Sequence, residues 1–386
     1  MSNGNEGKNK NKYAGSVGIV EKKIVTFDKI EQTLYLESGS KLFPFSLAYE
    51  TYGALNDRKD NTILICHALS GDSHAAGYYT EDDKKPGWWD TMIGPGKGFN
   101  TDKYFVICIN VIGGCMGSEG PSSINQETGK PYGLSFPVFT IKDIVKSQKM
   151  LLNYLGIEKI FCVTGGSMGG MQSLEWIVSF PEMVKSSILL ATTARLSAEN
   201  IAFHAAGRQA IKSDSNWNNG DYYGKEPPNA GLAVARMLAH ITYLSSEILK
   251  EKFDRKLQNK NSYSFDFNVD FQIESYLQHQ GLSFVRRFDA NSYLYITRAM
   301  DYFDITNATG KLTESLKNVR AKTFAISFSS DWLFPTSMSK AIVNALKSNN
   351  ADVSFCEVAS NRGHDAFLLE TEKLTILFKG FLDNVV

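Results

Sequence analysis

A chain of 386 residues with 41 basic and 41 acidic side chains has no global field to draw it to nucleic acid or an anionic membrane surface. Its apolar fraction of 43% and charged fraction of 21% exclude a disordered or collagen-like chain. They leave a globular protein with room for one large domain carrying an insertion, or for two packed domains.

The opening residues, MSNGNEGKNKNK, are polar and lack the apolar core of a secretory signal. Residues 1–20 are therefore expected to form a disordered tail, and the protein to be cytoplasmic. No run approaches eighteen apolar residues, so no membrane span is expected. Cys66, Cys108, Cys115, Cys162 and Cys356 are scattered without a C-x-x-C pair, which argues against zinc, redox or other metal chemistry.

After the tail, alternating apolar residues at Leu34 and Leu36, then Phe45, Leu47 and Tyr49, predict antiparallel strands. From Thr62 to Cys66 the pattern becomes continuously apolar, as in a strand covered on both faces. Similar runs recur at Tyr104 to Asn110, Ile160 to Thr164, Ser187 to Ala191, Lys322 to Ser327 and Val353 to Val358. Helical patterns separate most of them, including Thr140 to Leu155 and Met168 to Phe180. This alternation predicts an α/β fold with a mostly parallel sheet and helices on both faces. Between residues 195 and 317 the strands stop and helical segments take over, with Gly231 to Leu249 as one helix and Lys250 to Asn268 as an exposed loop. That stretch reads as an inserted helical lid on a core made of residues 21–194 and 318–386.

One stretch carries the chemistry. Phe161 to Gly170 reads FCVTGGSMGG, a G-x-S-x-G sequence centred on Ser167, between an apolar strand and a helix. This is the setting of the nucleophile elbow of the α/β-hydrolase fold, where glycines let a strained turn pass close to neighbouring elements. A P-loop lysine and a dinucleotide fingerprint are both missing, which argues against phosphate binding. A serine hydroxyl needs a base and an orienting acid, which in this fold follow in the order Ser, Asp, His. His364 lies in a loop between the last strand and the C-terminal helix and is the expected base. His204, His240 and His279 fall in the lid and are assigned to surface or packing roles. Asp331, ending the Lys322 to Ser327 strand, is the expected acid, in preference to a mere helix cap or to Asp352 or Glu357. The oxyanion donors are expected to be the amides of Met168 and of Leu69, in the turn after Cys66.

Several segments together resemble the homoserine O-acetyltransferase family. They are His67-Ala-Leu-Ser-Gly-Asp-Ser-His74, Trp89 to Gly96, Gly113 to Ser123, Gly165 to Gly170, Ser329 to Pro335 and Gly363-His-Asp365. The resemblance runs from about residue 25 onward. It implies acetyl transfer from acetyl-CoA, a co-substrate and not a tightly bound cofactor, to the hydroxyl of L-homoserine. It further implies a ping-pong mechanism, a place in methionine synthesis and a homodimer joined through the lid helices. By the same resemblance Arg236, Tyr243 and Asp365 hold the amino acid, with Asn61 also lining the site. One departure stands out: His204-Ala205 replaces the Asn-Glu common in the family. Homoserine O-succinyltransferase, a serine O-acyltransferase and a plain esterase are the rival readings.

Overall fold

The computed structural model describes residues 13–385. Its central sheet has eight strands: β1 (Lys23–Phe27), β2 (Phe45–Tyr52), β3 (Thr62–Ile65), β4 (Phe105–Ile109), β5 (Ile160–Gly166), β6 (Val184–Leu190), β7 (Lys322–Phe328) and β8 (Val353–Val358). They lie in the order β1-β2-β4-β3-β5-β6-β7-β8. Strand β2 is antiparallel to β1 and β4, while β3, β4 and β5 to β8 run parallel. The helices, in chain order, are α1 (Ile141–Tyr154), α2 (Met168–Ser179), α3 (Ala198–Ser213), α4 (Asn229–Tyr243), α5 (Ser246–Lys252), α6 (Gln272–Val285), α7 (Ala290–Asp301), α8 (Leu312–Ser315), α9 (Thr336–Ser348), α10 (Ala366–Leu369) and α11 (Thr371–Leu382). Among the described residues no helix is long and apolar enough to cross a membrane.

The continuous apolar runs follow from burial on both faces. Along β3, Leu64 joins one core with Val163, Leu189 and residues of α1 and α2 such as Ile144 and Leu174. Its neighbours Ile63 and Ile65 join the opposite core with Ile188, Ile326 and the α11 residues Leu374 and Phe378. Alternation thus persists, but each face meets helices, so no position needs to be polar. Helix α1 begins where expected because Thr140 and Asp143 cap it reciprocally, the Asp143 amide donating to Thr140 Oγ1 and the Thr140 amide to Asp143 Oδ2.

Two boundaries differ from the sequence expectation. The N-terminal segment docks by residue 19: Ile19 bridges Tyr78, and the Val20 amide donates to the Tyr78 carbonyl at 2.8 Å. Residues 13–20, expected within a disordered tail, are thus ordered against the core, and residues 1–12 of that expected tail lie outside the described residues. The helix expected over Gly231 to Leu249 breaks in two. Leu244 is extended, with φ −100° and ψ 145°, and Ser245 caps α5 by accepting the Ile248 amide. This break lets the chain meet the loop bearing His364. Trp332 Nε1 donates to the Leu244 carbonyl at 3.0 Å. Gly363 packs so closely that a Cβ there would sit 2.6 Å from the Ser245 nitrogen. The exposed loop that follows begins only after Lys252, where α5 ends.

Candidate active site

Strand β5 delivers Ser167 to the C-terminal edge of the sheet, where α2 begins. Its backbone has φ 59° and ψ −122°, a conformation that costs a non-glycine residue about 1–3 kcal/mol. The surrounding glycines are required by contact: a Cβ on Gly165 or Gly169 would lie 2.3 or 2.0 Å from the Cys66 carbonyl oxygen. Gly166 is equally confined, by the Phe367 ring at 2.4 Å. The turn is therefore clamped between the end of β3 and the loop carrying His364. Cys66 is no rival nucleophile, because burial pushes its thiol up to about 12.

His364 and Asp331 converge from two different loops. Nδ1 of His364 lies 2.7 Å from Asp331 Oδ2, and both side chains are almost fully buried. Asp331 Oδ1 accepts the amides of Leu333 and Phe334 at 3.0 and 2.9 Å, so the carboxylate caps the turn and orients the imidazole at once. Burial opposes charging of His364, yet the neighbouring Asp331 carboxylate outweighs it and holds the imidazole above its ordinary value. Phe334, Phe367 and Tyr243 pack around the ring at centroid distances of 5.0, 5.6 and 6.0 Å. Its Nε2 is buried without a hydrogen-bond partner, so the bond to the Ser167 hydroxyl is not made in this conformation. Such bonds in free enzymes are often long and tighten when substrate binds.

Met168 occupies the first position of α2, where an amide has no acceptor within the helix. The second expected donor, Leu69, sits in a turn fixed by His67. The Val111 amide donates to His67 Nε2 at 3.2 Å, so Nδ1 carries the proton and donates to the Ala68 carbonyl at 2.8 Å. Burial pushes His67 down, which favours this neutral form. Gln172 on α2 ties the same turn down by donating to the His67 carbonyl at 3.0 Å, and itself accepts from Gln148 on α1 at 2.8 Å. The sequence reading identified neither glutamine; a buried amide inside an apolar helix pattern was the available signal.

From the lid, Arg236 on α4 reaches over this turn. Its Nη1 donates weakly to Ser70 Oγ at 3.4 Å, and its guanidinium lies 4.7 Å from the Phe284 ring centroid and 5.6 Å from that of Tyr243. Arg287, after α6, lies on the same Phe284 ring and donates to the Ser70 carbonyl at 2.9 Å. Asp365 is half-buried beside His364; burial raises its carboxyl, opposed by the charges of His364 and Arg236. Arg236, Tyr243 and Asp365 thus gather near His364. Asn61 does not. It precedes β3, at the opposite end of the parallel strands from Ser167, and its side chain is spent on the Ala54 and Lys103 carbonyls and the Asn56 amide. Catalytic edges of parallel sheets lie at the carboxyl ends of the strands, which is why Asn61 is a loop anchor.

Ser167 opens on a chamber of about 40 Å³ shared with Leu69, Tyr243, Phe334, Leu333, Tyr293, Met300, Phe203 and His204. His204, expected in a surface or packing role, packs against Asp301 and also lines this chamber. Among the described residues no group of three or more His, Cys, Asp or Glu side chains could hold a metal ion.

Comparison with known proteins agrees with this geometry. A family model described as alpha/beta hydrolase fold matches residues 61–371. The chain is 57% identical over 369 residues to a homoserine O-acetyltransferase of Methanohalobium evestigatum, covering 96% of this chain and 74% of that protein. It is 54% identical over 374 residues to one of Solidesulfovibrio magneticus, covering 96% and 94%. Among solved structures, homoserine O-acetyltransferase from Bacillus anthracis superposes with a TM-score of 0.89 at 31% identity, covering 95% of this chain and 98% of that one. Esterase E22 superposes with a TM-score of 0.86 at 33% identity, covering 94% and 100%. A chain with a strained serine and a buried His-Asp pair at one sheet edge thus shares more than half its residues with such relatives over nearly its whole length, and it belongs to the homoserine O-acetyltransferase family of the α/β-hydrolase fold.

Proposed function

We propose that this enzyme moves an acetyl group from acetyl-CoA to the side-chain hydroxyl of L-homoserine by a ping-pong route, in methionine synthesis in the cytoplasm. The observation that carries the proposal is the buried Asp331–His364 bond, with Tyr243 and Phe334 packed on the imidazole and lining the chamber of a serine held at positive φ. Ser167 Oγ attacks the thioester carbon while His364 Nε2 takes its proton. The amides of Leu69 and Met168 receive the developing oxyanion. The carbon–sulfur bond breaks, His364 returns the proton to the thiolate, and CoA leaves. Homoserine then attacks the acetyl-serine carbonyl, passing its hydroxyl proton to His364, which gives it to Ser167 Oγ as the product ester departs. Arg236 suits the α-carboxylate and Asp365 the α-ammonium, while Tyr243 lies between the lid and His364. All the reacting groups come from the two substrates and the chain, so no bound cofactor or metal enters the scheme.

The kinship with esterase E22 makes hydrolysis the reading to test against, and succinyl transfer the rival within transferases. The decisive experiment measures CoA release from acetyl-CoA and succinyl-CoA with homoserine and with serine, for the native enzyme and Ser167→Ala. Acetyl-CoA with homoserine should give the highest kcat/KM, and the variant should release no CoA. Release at the same rate without any amino acid would make the enzyme a hydrolase. For the homodimer, the exposed apolar side chains Val234 and Ile241 on α4 and Leu282 on α6 supply a candidate lid face, checked by sedimentation of Ile241→Asp.

A further inference from the structure

The chamber beside Ser167 contains a second imidazole that the mechanism above leaves unused. His204 lies on α3, in the same chamber lining as Ser167. Its Nδ1 is 2.8 Å from Asp301 Oδ1, at the end of α7. The other oxygen of Asp301, a nearly buried carboxylate, is 2.6 Å from Nη2 of Arg208, one turn further along α3. Arg208 is itself buried and donates to Thr297 Oγ1 at 3.2 Å. An imidazole tied into such a network loses its freedom to swing, so this part of the chamber wall is rigid.

What the chamber receives follows from its lining. An acyl group on Ser167 Oγ, with its carbonyl oxygen at the Leu69 and Met168 amides, must send its chain away from them. The space available is bounded by the apolar Phe203, Met300, Leu333 and Phe334, with Asn200, Thr242, Tyr243 and Tyr293 also in the wall. Of the three residues suited to an amino acid, Tyr243 reaches this lining, while the charged Arg236 and Asp365 lie outside it.

We propose that His204 is the length gauge of the acyl pocket: fixed by Asp301, its ring forms the α3 part of the chamber wall beside Ser167 and limits how long an acyl chain the chamber accepts. The inference rests on the acyl-enzyme step of the proposed function, but not on the identity of the donor or acceptor. The test is acyl-enzyme formation from p-nitrophenyl acetate, butyrate and hexanoate, read as the burst of p-nitrophenol from native enzyme, His204→Ala and His204→Asn. His204→Ala should raise the butyrate-to-acetate ratio of kcat/KM about tenfold or more, and His204→Asn should fall between it and the native enzyme. An unchanged ratio, or an equal loss for every chain length, would overturn the gauge and leave His204 a structural residue. Should the alanine variant not fold, the asparagine variant, which keeps a polar partner for Asp301, decides the question by the same ratio. If native enzyme fails to acetylate homoserine while the ester profile still shifts with residue 204, the transferase reading falls and the gauge stands.

Discussion

Asp331 divides its carboxylate between two tasks, holding His364 Nδ1 at 2.7 Å with one oxygen while the other accepts the Leu333 and Phe334 amides. The division sets the imidazole's tautomer. A carboxylate can only accept, so Nδ1 must carry a proton and Nε2 is left to receive one.

Asp331→Asn should therefore cost far more activity than stability. The amide can keep its oxygen toward the two backbone donors and turn its NH2 toward Nδ1. His364 is then driven to the tautomer with the proton on Nε2, which cannot act as a base. A fall in kcat of about 10³–10⁴-fold with little change in KM is expected in the CoA-release assay.

The pH response follows from the same contact. His364 is held above its ordinary value of 6.5, against the pull of burial, by the charge of and bond to Asp331. The contact's contribution to stability is thus complete below about pH 6.5 and fades as pH rises through the raised value. Activity runs the other way, because the base must be neutral. The acid limb of kcat/KM should have its midpoint above 6.5, and NMR titration of His364 in Asp331→Asn should place it lower than in native enzyme, since burial is then opposed only by the Asp365 charge.

The glycines of the elbow and of the C-terminal helix predict opposite signs. Gly169→Ala would put a methyl 2.0 Å from the Cys66 carbonyl, where backbone of β3 and the oxyanion turn must yield. A loss of about 3 kcal/mol or more is expected by denaturant unfolding. Gly380, within α11, has open space around its Cα hydrogens, so Gly380→Ala should stabilise by about 0.5–1 kcal/mol.

How much of this could be read from the sequence depended on whether the signal was local. Ser167 was legible because strand, glycines and helix are contiguous, and Asp331 and His364 because the fold dictates their order along the chain. The break at Leu244 was not, since its cause is Trp332 and Gly363, residues about ninety to a hundred and twenty positions away that meet it only in the folded state. His204 stood out in the sequence only as a departure from the family resemblance, and its pairing with Asp301 and its chamber neighbours appear only in the folded chain. Asn61 shows the converse error, a polar residue next to a core strand but at the wrong end of it.

Arg287 makes a further case where tertiary contact carries the function. Its guanidinium donates to the Ser70 carbonyl, immediately after Leu69, so it steadies the turn proposed to present an oxyanion donor. Arg287→Ala removes a charge-assisted hydrogen bond of about 1.5 kcal/mol, and kcat should fall about tenfold. Arg287→Lys should recover part of the loss, a recovery that a merely electrostatic effect on folding would not confine to kcat.

Arg236 differs from Arg287 in having spare donor capacity. Its Nε is buried without a partner, its Nη1 contact to Ser70 is long, and its plane lies against Phe284 and near Tyr243. A guanidinium held by aromatic faces, with donors unspent, is suited to a planar carboxylate, whereas an ammonium offers a point charge without the fork. Arg236→Lys keeps the charge but forfeits the bidentate geometry and the stacking. The homoserine KM should rise about 10- to 100-fold, equivalent to about 1.4–2.8 kcal/mol. The burst from p-nitrophenyl acetate should change far less, because acyl-enzyme formation precedes the acceptor. Equal losses in both assays would mean that Arg236 supports the oxyanion turn through Ser70 and does not hold the amino acid.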